Sequence, residues 1–298
     1  MGSVLTFAWY IAIIVTLGTV AAGRACAEAP RWPRRLTSMA LFSAVLAVCV
    51  VTVRLWSQTY DAFGGDQPLQ FVHARVILLD TPWGIGWRWQ AGFTLLTLIA
   101  VTAWRLRWRW WPAAAVWASA MAFATAFTGH AMGMEDRVWQ TVLAHGLHVT
   151  AAGWWLGALT AIQLVTAGTD FDRDARARLS LSRVIDRFSP VAVVAVGVLV
   201  AAGLVATWRH VLEQAGIGGF ASPYGLALLA KVAAFGGAGL CGLYNWRVLR
   251  PRLASSPDAA RQLRSMAWLE IALGLLAVVL TALLGTLSMP EAPGGGGH

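Results

Sequence analysis

The chain is divided into apolar blocks of roughly 18 to 25 residues with few charges, each long enough to cross a hydrocarbon core about 30 Å thick. Eight such blocks run at 4–23, 36–55, 89–104, 112–129, 138–165, 188–208, 224–246 and 265–288. No other feature restricts the fold as strongly, because a backbone in lipid must satisfy its own N–H and C=O groups. Composition agrees: 58% of the 298 residues are hydrophobic and 12% charged, with a mean hydropathy of +0.61. A soluble domain carries about 25% charged residues. The expected fold is an all-α polytopic membrane protein of eight transmembrane helices, with 1–298 forming a single integral-membrane domain. The first block lacks a basic leader, and Arg24, Arg31, Arg34 and Arg35 follow its apolar run, so it reads as a span rather than a signal peptide.

A net charge of +9 raises the question of nucleic acid. Position answers it. Seventeen of the 22 arginines crowd four alternate connections, at 24–35, 105–110, 173–187 and 247–264. The other five, Arg54, Arg75, Arg88, Arg137 and Arg209, fall toward the opposite side. This alternation is the positive-inside pattern, which predicts cytoplasmic basic loops, both termini outside and a lipid bilayer as the partner, with no nucleic acid. Cys26, Cys49 and Cys241 have no paired spacing and read as small buried apolar residues.

A faint repeat runs through the chain. TPWGIGWRWQAGFTLL opens the third span at 81 and SPYGLALLAKVAAFGG the seventh at 222, both as Ser/Thr-Pro-aromatic-Gly. Four spans per half would give a parallel 4+4 repeat, with 1–130 as the first half and 131–298 as the second. The outer connection 56–88 is long, and its FVHARVILL segment is too short to span; it predicts a cap or re-entrant piece. The GxxxG at Gly153–Gly157 and AFGGAG at 234–239 predict close helix approach. Most of the 17 tryptophans lie near span ends and read as interfacial belts.

Residues 128–149, TGHAMGMEDRVWQTVLAHGLHV, gather three of the six histidines and two of the seven methionines. Ionisable groups at membrane depth are costly and functional by default. A helix starting near Val138 puts His145 about 10 Å down and His148 near the midplane on the same face. His130 ends the preceding helix on the same outer side. The three imidazoles then either form a shared ligand site or hold the bundle together by hydrogen bonds. Met132 and Met134 add thioethers, and imidazoles with thioethers suit a soft ion such as Cu(I) rather than Mg or Ca. Glu135 and Asp136 read as an exposed turn and an acidic mouth for cations.

Lys231, the only lysine, and Glu270 also lie at membrane depth. They pair, relay protons or bound an exit path, or else snorkel and bond between helices. His73 and His210 read as outer-loop residues. No Walker A loop, HExxH, GxSxG or Cys-x-x-Cys-His is present, which argues against ATP-driven pumping and covalent haem.

These segments resemble the copper resistance protein D family of bacterial inner-membrane proteins. The resemblance rests on TGHAMG, LAHGLHVTAAGWWLGAL (143–159), RFSPVAVVAVGVLVAAGL (187–204), SPYGLALLAKVAAF (222–235) and NWR (245–247). It implies copper movement across the inner membrane, in concert with a periplasmic partner of the copper resistance protein C type. By position it carries over His130, His145, His148, Trp155, Gly157, the Ser-Pro-Tyr-Gly mouth and Lys231. The first span has no histidine; FAWYIA at 7–12 offers only Phe, Trp and Tyr. The expectation is therefore a permease rather than an enzyme. It would import copper through His130, His145, His148, Met132 and Met134, with Lys231, Glu270, Trp155 and His73 along the path. A membrane b-type cytochrome holding haem b stands as the alternative, with His130 facing His145 or His148 across the hairpin.

Overall fold

The computed structural model describes residues 2–27, 32–64, 70–128, 138–208, 211, 216–284 and 287. They are mostly helical, with no strand among the described residues. The long helices are α1 (Gly2–Cys26), α2 (Pro33–Phe63), α4 (Pro82–Leu106), α8 (Ala175–Thr207), α9 (Pro223–Tyr244) and α10 (Pro257–Leu284). Between them lie α3 (Phe71–Asp80) and α5 (Trp111–Phe123), which continues into a 3₁₀ turn at Ala124–Thr128. Next come α6 (Val138–Ala152), a π turn at Gly153–Gly157 and α7 (Ala158–Val165).

The described residues of each apolar block fall on these helical runs. Five helices (α1, α2, α8, α9 and α10) are by themselves long and apolar enough to cross a membrane. Of the others, α3, α5, α6 and α7 are separate helices of 10, 13, 15 and 8 residues. The chain is a multi-pass, all-helical membrane protein. Phe42, Ile99, Val116, Leu240 and Val279 stand well exposed on their helices, which an aqueous protein would avoid and a lipid-facing surface requires.

The chain divides into two compact units, Met1–Thr166 with Pro190–Leu199, and Ala167–Ser189 with Val200–His298. In the first, α1 lies centrally, against α2, α5, the π turn and α7, while α4 bridges α2 and α5. Trp9, Ala12, Ile13, Leu17 and Val20 of α1 are fully buried. The GxxxG does what its spacing predicts. A Cβ on Gly157 would lie 2.3 Å from the Ile14 carbonyl oxygen, and one on Gly18 would lie 2.1 Å from Gly157. The two backbones touch. In AFGGAG the close approach is confined to Gly237, which meets Leu273, while Gly236 and Gly239 have open space.

In the second unit α9 and α10 form an antiparallel hairpin. Its basic connections are tied by charge: Arg261 pairs with Asp172 at 2.7 Å, Arg250 with Asp186, and Arg178 Nη1 donates to the Phe171 carbonyl at 2.6 Å.

Two expectations need correction. Several tryptophans are core residues rather than interfacial ones: Trp9, Trp32, Trp104 and Trp155 are buried. Others use the indole N–H to bridge helices, Trp87 to the Val51 carbonyl at 2.8 Å and Trp111 to the Val20 carbonyl at 2.7 Å. A ring with one donor suits a helix contact as well as a headgroup. Of the cysteines only Cys26 is buried; Cys49 is exposed on α2 and Cys241 is half-buried.

Both Ser/Thr-Pro-aromatic-Gly motifs build the same helix start. Thr81 Oγ1 accepts from Gly84 N at 2.9 Å and donates to the Ile77 carbonyl at 2.6 Å. Ser222 Oγ accepts from Gly225 N at 3.0 Å and donates to the Gly219 carbonyl at 2.6 Å. Each motif glycine leaves room for the incoming chain: a Cβ would sit 2.0 Å from Ile77 O at Gly84 and 2.3 Å from Gly219 O at Gly225. Between the sequence halves, this local geometry repeats.

Candidate polar site in the first unit

Polar side chains from five helical elements meet inside the first unit, near the end where α1 begins. Trp9 and Tyr10 sit about two turns into α1, Arg54 in the last third of α2, and Gln90 two turns into α4. Thr125 and Thr128 come from the 3₁₀ turn after α5, and His145 lies two turns into α6. All are near the same end because the elements alternate in direction.

Hydrogen bonds join these side chains in small groups. The Tyr10 hydroxyl and His145 Nε2 are 3.3 Å apart. Arg54 Nη1 donates to Gln90 Oε1 at 2.8 Å, and Nη2 to Thr128 Oγ1 at 3.5 Å. Gln90 Nε2 also reaches Thr128 Oγ1, at 3.5 Å, and Trp9 Nε1 donates to Thr125 Oγ1 at 3.3 Å. The Arg54 guanidinium lies over the Trp9 ring, 5.6 Å from its centroid, and has the Tyr10 phenol within electrostatic reach. Trp9 and Gln90 are fully buried, so the network is part of the packed interior. It satisfies polar groups that would otherwise be costly at this depth.

His145 is half-buried two turns into α6, with Gly146 beside it pressed against the Phe123 ring. The hydrogen bond to Tyr10 fixes which ring nitrogen is engaged, the usual task of a partner behind a metal-binding imidazole. His148 follows three residues later, also half-buried. Just beyond comes the π turn holding Trp155, whose side chain is buried. Such turns shift the facing of the residues around them and recur at functional sites. His130, Met132 and Met134 lie outside the described residues. Among the described residues no group of three or more His, Cys, Asp and Glu side chains converges as a metal cage.

The remaining candidates are dispersed. His73 in α3 stacks on Phe63, with centroids 4.3 Å apart and an 11° interplanar angle, so it is a packed ring rather than a solvated one. In the second unit Glu270 is buried in α10, where Asn245 Nδ2 lies 3.4 Å from its carboxylate and the Gly242 position abuts it. Lys231 is half-buried on α9, eleven residues before Gly242. That is roughly 16 Å along the helix axis, so the two charges occupy different levels of the hairpin.

Tyr10, Arg54 and Gln90 were not among the predicted site residues. Arg54, one of the five arginines read toward the opposite side, lies inside α2 and binds inward. It falls within the apolar block 36–55, and Gln90 within 89–104; a polar group inside such a block was the available signal.

The copper resistance protein D-like N-terminal domain model matches residues 2–138, and the copper resistance protein D model matches 182–284. Copper resistance protein D of Pseudomonas syringae pv. tomato is 30% identical over 273 residues, covering 87% of this chain and 84% of the relative. The chain belongs to the copper resistance protein D family. It is also 28% identical over 235 residues to the copper transport protein CutJ of Bacillus subtilis (strain 168), covering 77% of the chain but 41% of that longer protein. No solved structure matches.

Proposed function

We propose that the chain is a permease of the bacterial inner membrane that carries copper ions from the periplasm into the cell and catalyses no reaction. His145 and His148, with His130 and Met132 or Met134, form the first binding station, and both termini face the periplasm. A periplasmic copper protein of the copper resistance protein C type delivers the ion. Support comes above all from one observation: in a chain of this family, an imidazole about 10 Å inside a helix is held by a phenol from another helix, Tyr10 on His145. The relatives' names, copper resistance and copper transport, agree with copper as cargo. Imidazole and thioether ligands suit Cu(I), and a small ligand set favours release as well as capture.

The test is copper accumulation in cells expressing the wild-type chain or the His145→Ala, His148→Ala double variant at equal membrane levels. Wild-type protein should raise cellular copper and copper sensitivity, and the double variant should return both to the level of empty cells. Unchanged uptake by the variant would refute the station. Metal analysis of the purified protein adds a second check, since iron in place of copper would favour haem.

A further inference from the structure

Arginines from two basic connections meet at the end of the first unit opposite His145. There a cavity of about 540 Å³ is lined by Arg34, Arg35 and Ser38 of α2, Arg105 of α4, and Leu164 and Val165 of α7. The three arginines and Ser38 are exposed, so the cavity is reachable from outside the protein. Ser38 sets its geometry: Oγ accepts from Arg105 Nη1 at 2.5 Å and donates to the Arg34 carbonyl at 2.9 Å. The last turn of α4 is thereby tied to the start of α2. A guanidinium carries five N–H donors in a planar fork, of which this bond engages one. Three guanidinium charges around one cavity repel one another, and an anion placed among them is attracted by all three. The first turn of α2 contains no acidic residue and adds the positive end of the helix dipole. Planar forks match the paired oxygens of a phosphate. The surface leading away from the cavity is apolar. Phe42 and Val45 follow Ser38 on the same side of α2, one and two turns deeper, and are 73% and 46% exposed. Leu164 on the α7 wall is exposed as well. A free phosphate has no use for such a stripe, whereas an acyl chain does.

We propose that this cavity binds the phosphate of an anionic phospholipid such as phosphatidylglycerol, held by Arg34, Arg35 and Arg105, with an acyl chain lying along Phe42 and Val45. Basic pockets between transmembrane helices hold phospholipid headgroups by the same chemistry. The bound lipid bridges α2, α4 and α7 and offsets the repulsion among the arginines, so it stabilises this end of the unit. The site stands independently of what the protein carries, and its test needs no copper.

The experiment uses the full-length protein, stripped of lipid in a neutral detergent. It is titrated with fluorescent phosphatidylglycerol and with phosphatidylcholine of the same chains. Phosphatidylglycerol should bind saturably and about tenfold more tightly than phosphatidylcholine, whose choline cancels the phosphate charge, and should raise the melting temperature. Arg105→Gln should weaken that binding at least about tenfold, since it removes a charge-assisted donor fork. Should that variant not fold, Arg105→Lys, which keeps the charge and loses the fork, should weaken binding several-fold. Arg107→Gln removes a charge from the same connection without touching the cavity lining and should bind like wild type. The proposal is overturned if the two lipids bind alike, or if Arg105→Gln binds like wild type. It is also overturned if Arg107→Gln loses as much affinity as Arg105→Gln, which would reduce the effect to the general charge of the basic loop. Inorganic phosphate at the same concentration should leave the lipid bound. Displacement by it would give the cavity to a free phosphate and overturn the lipid assignment.

Discussion

A histidine that binds a metal and then gives it up needs its ring held in place. Tyr10 is the side chain that holds His145, at 3.3 Å. Tyr10→Phe keeps the ring and removes the hydroxyl. Loss of such a supporting hydrogen bond typically costs 10- to 100-fold in metal affinity. Copper uptake at low external copper should therefore fall by about tenfold or more, while protein level and melting temperature barely change. Copper accumulation, normalised to an immunoblot of membrane protein, checks this, and an unchanged uptake curve would make the hydrogen bond incidental. Gln90→Leu addresses the other half of the network. It removes the 2.8 Å acceptor of Arg54 and leaves a guanidinium donor facing a methyl group. A lost hydrogen bond to a charged group is worth about 1.5–3 kcal/mol, so the melting temperature should drop by several degrees. The place of His145 two turns into its helix was readable from the sequence, because the apolar block marks where that helix starts. Its partner was not. Tyr10 lies 135 residues away, and periodicity specifies a face without naming what the face meets. Arg54 was missed for a different reason: near the end of an apolar block, a long side chain snorkelling out to water and one turning inward look identical in sequence.

Among elements, the helix starts and close crossings were the most legible features. Pro after Ser or Thr marks a helix beginning by removing an N–H that has no helical partner there. The hydroxyl then caps the glycine two residues past the proline, as it does at both Thr81 and Ser222. Thr81→Ala and Ser222→Ala should each cost about 1 kcal/mol. Gly84→Ala and Gly225→Ala should cost more, because the added methyl runs into a backbone carbonyl that cannot swing away; overpacking of this kind costs about 1–3 kcal/mol. Thermal melting of the four variants in one detergent tests the ranking. Equal behaviour of the two motifs would support a common local design in both halves. The π turn at Gly153–Gly157 was not legible, because GxxxG encodes a close crossing and says nothing about an extra residue per turn. The structure joins the two: Gly157 touches α1 at Ile14 and Gly18, and the π turn begins five residues after His148. The same glycine pair that packs the helices therefore lies where the chain changes pitch beneath the histidines.

At the scale of the whole molecule, the uneven distribution of arginine sets orientation. Its four crowded connections predict four cytoplasmic loops, and the ion pairs Arg261–Asp172 and Arg250–Asp186 tie such connections together in the second unit. If these loops are cytoplasmic, both termini are periplasmic, and the end of the first unit where α1 begins opens to the periplasm. His145 would then lie toward the periplasmic end, as the proposed import requires. Reporter fusions decide the matter. Alkaline phosphatase, which folds only outside the cytoplasm, should be active when joined after His298 and inactive when inserted at 167–174. A fluorescent protein that matures only in the cytoplasm should give the reverse. Reversing the charge of Arg105, Arg107 and Arg109 together should blur both patterns, since the basic residues flanking spans fix their orientation. An active phosphatase at 167–174 would invert the molecule: the Tyr10–His145 pair would then open to the cytoplasm, and the same site would be placed to load copper for export.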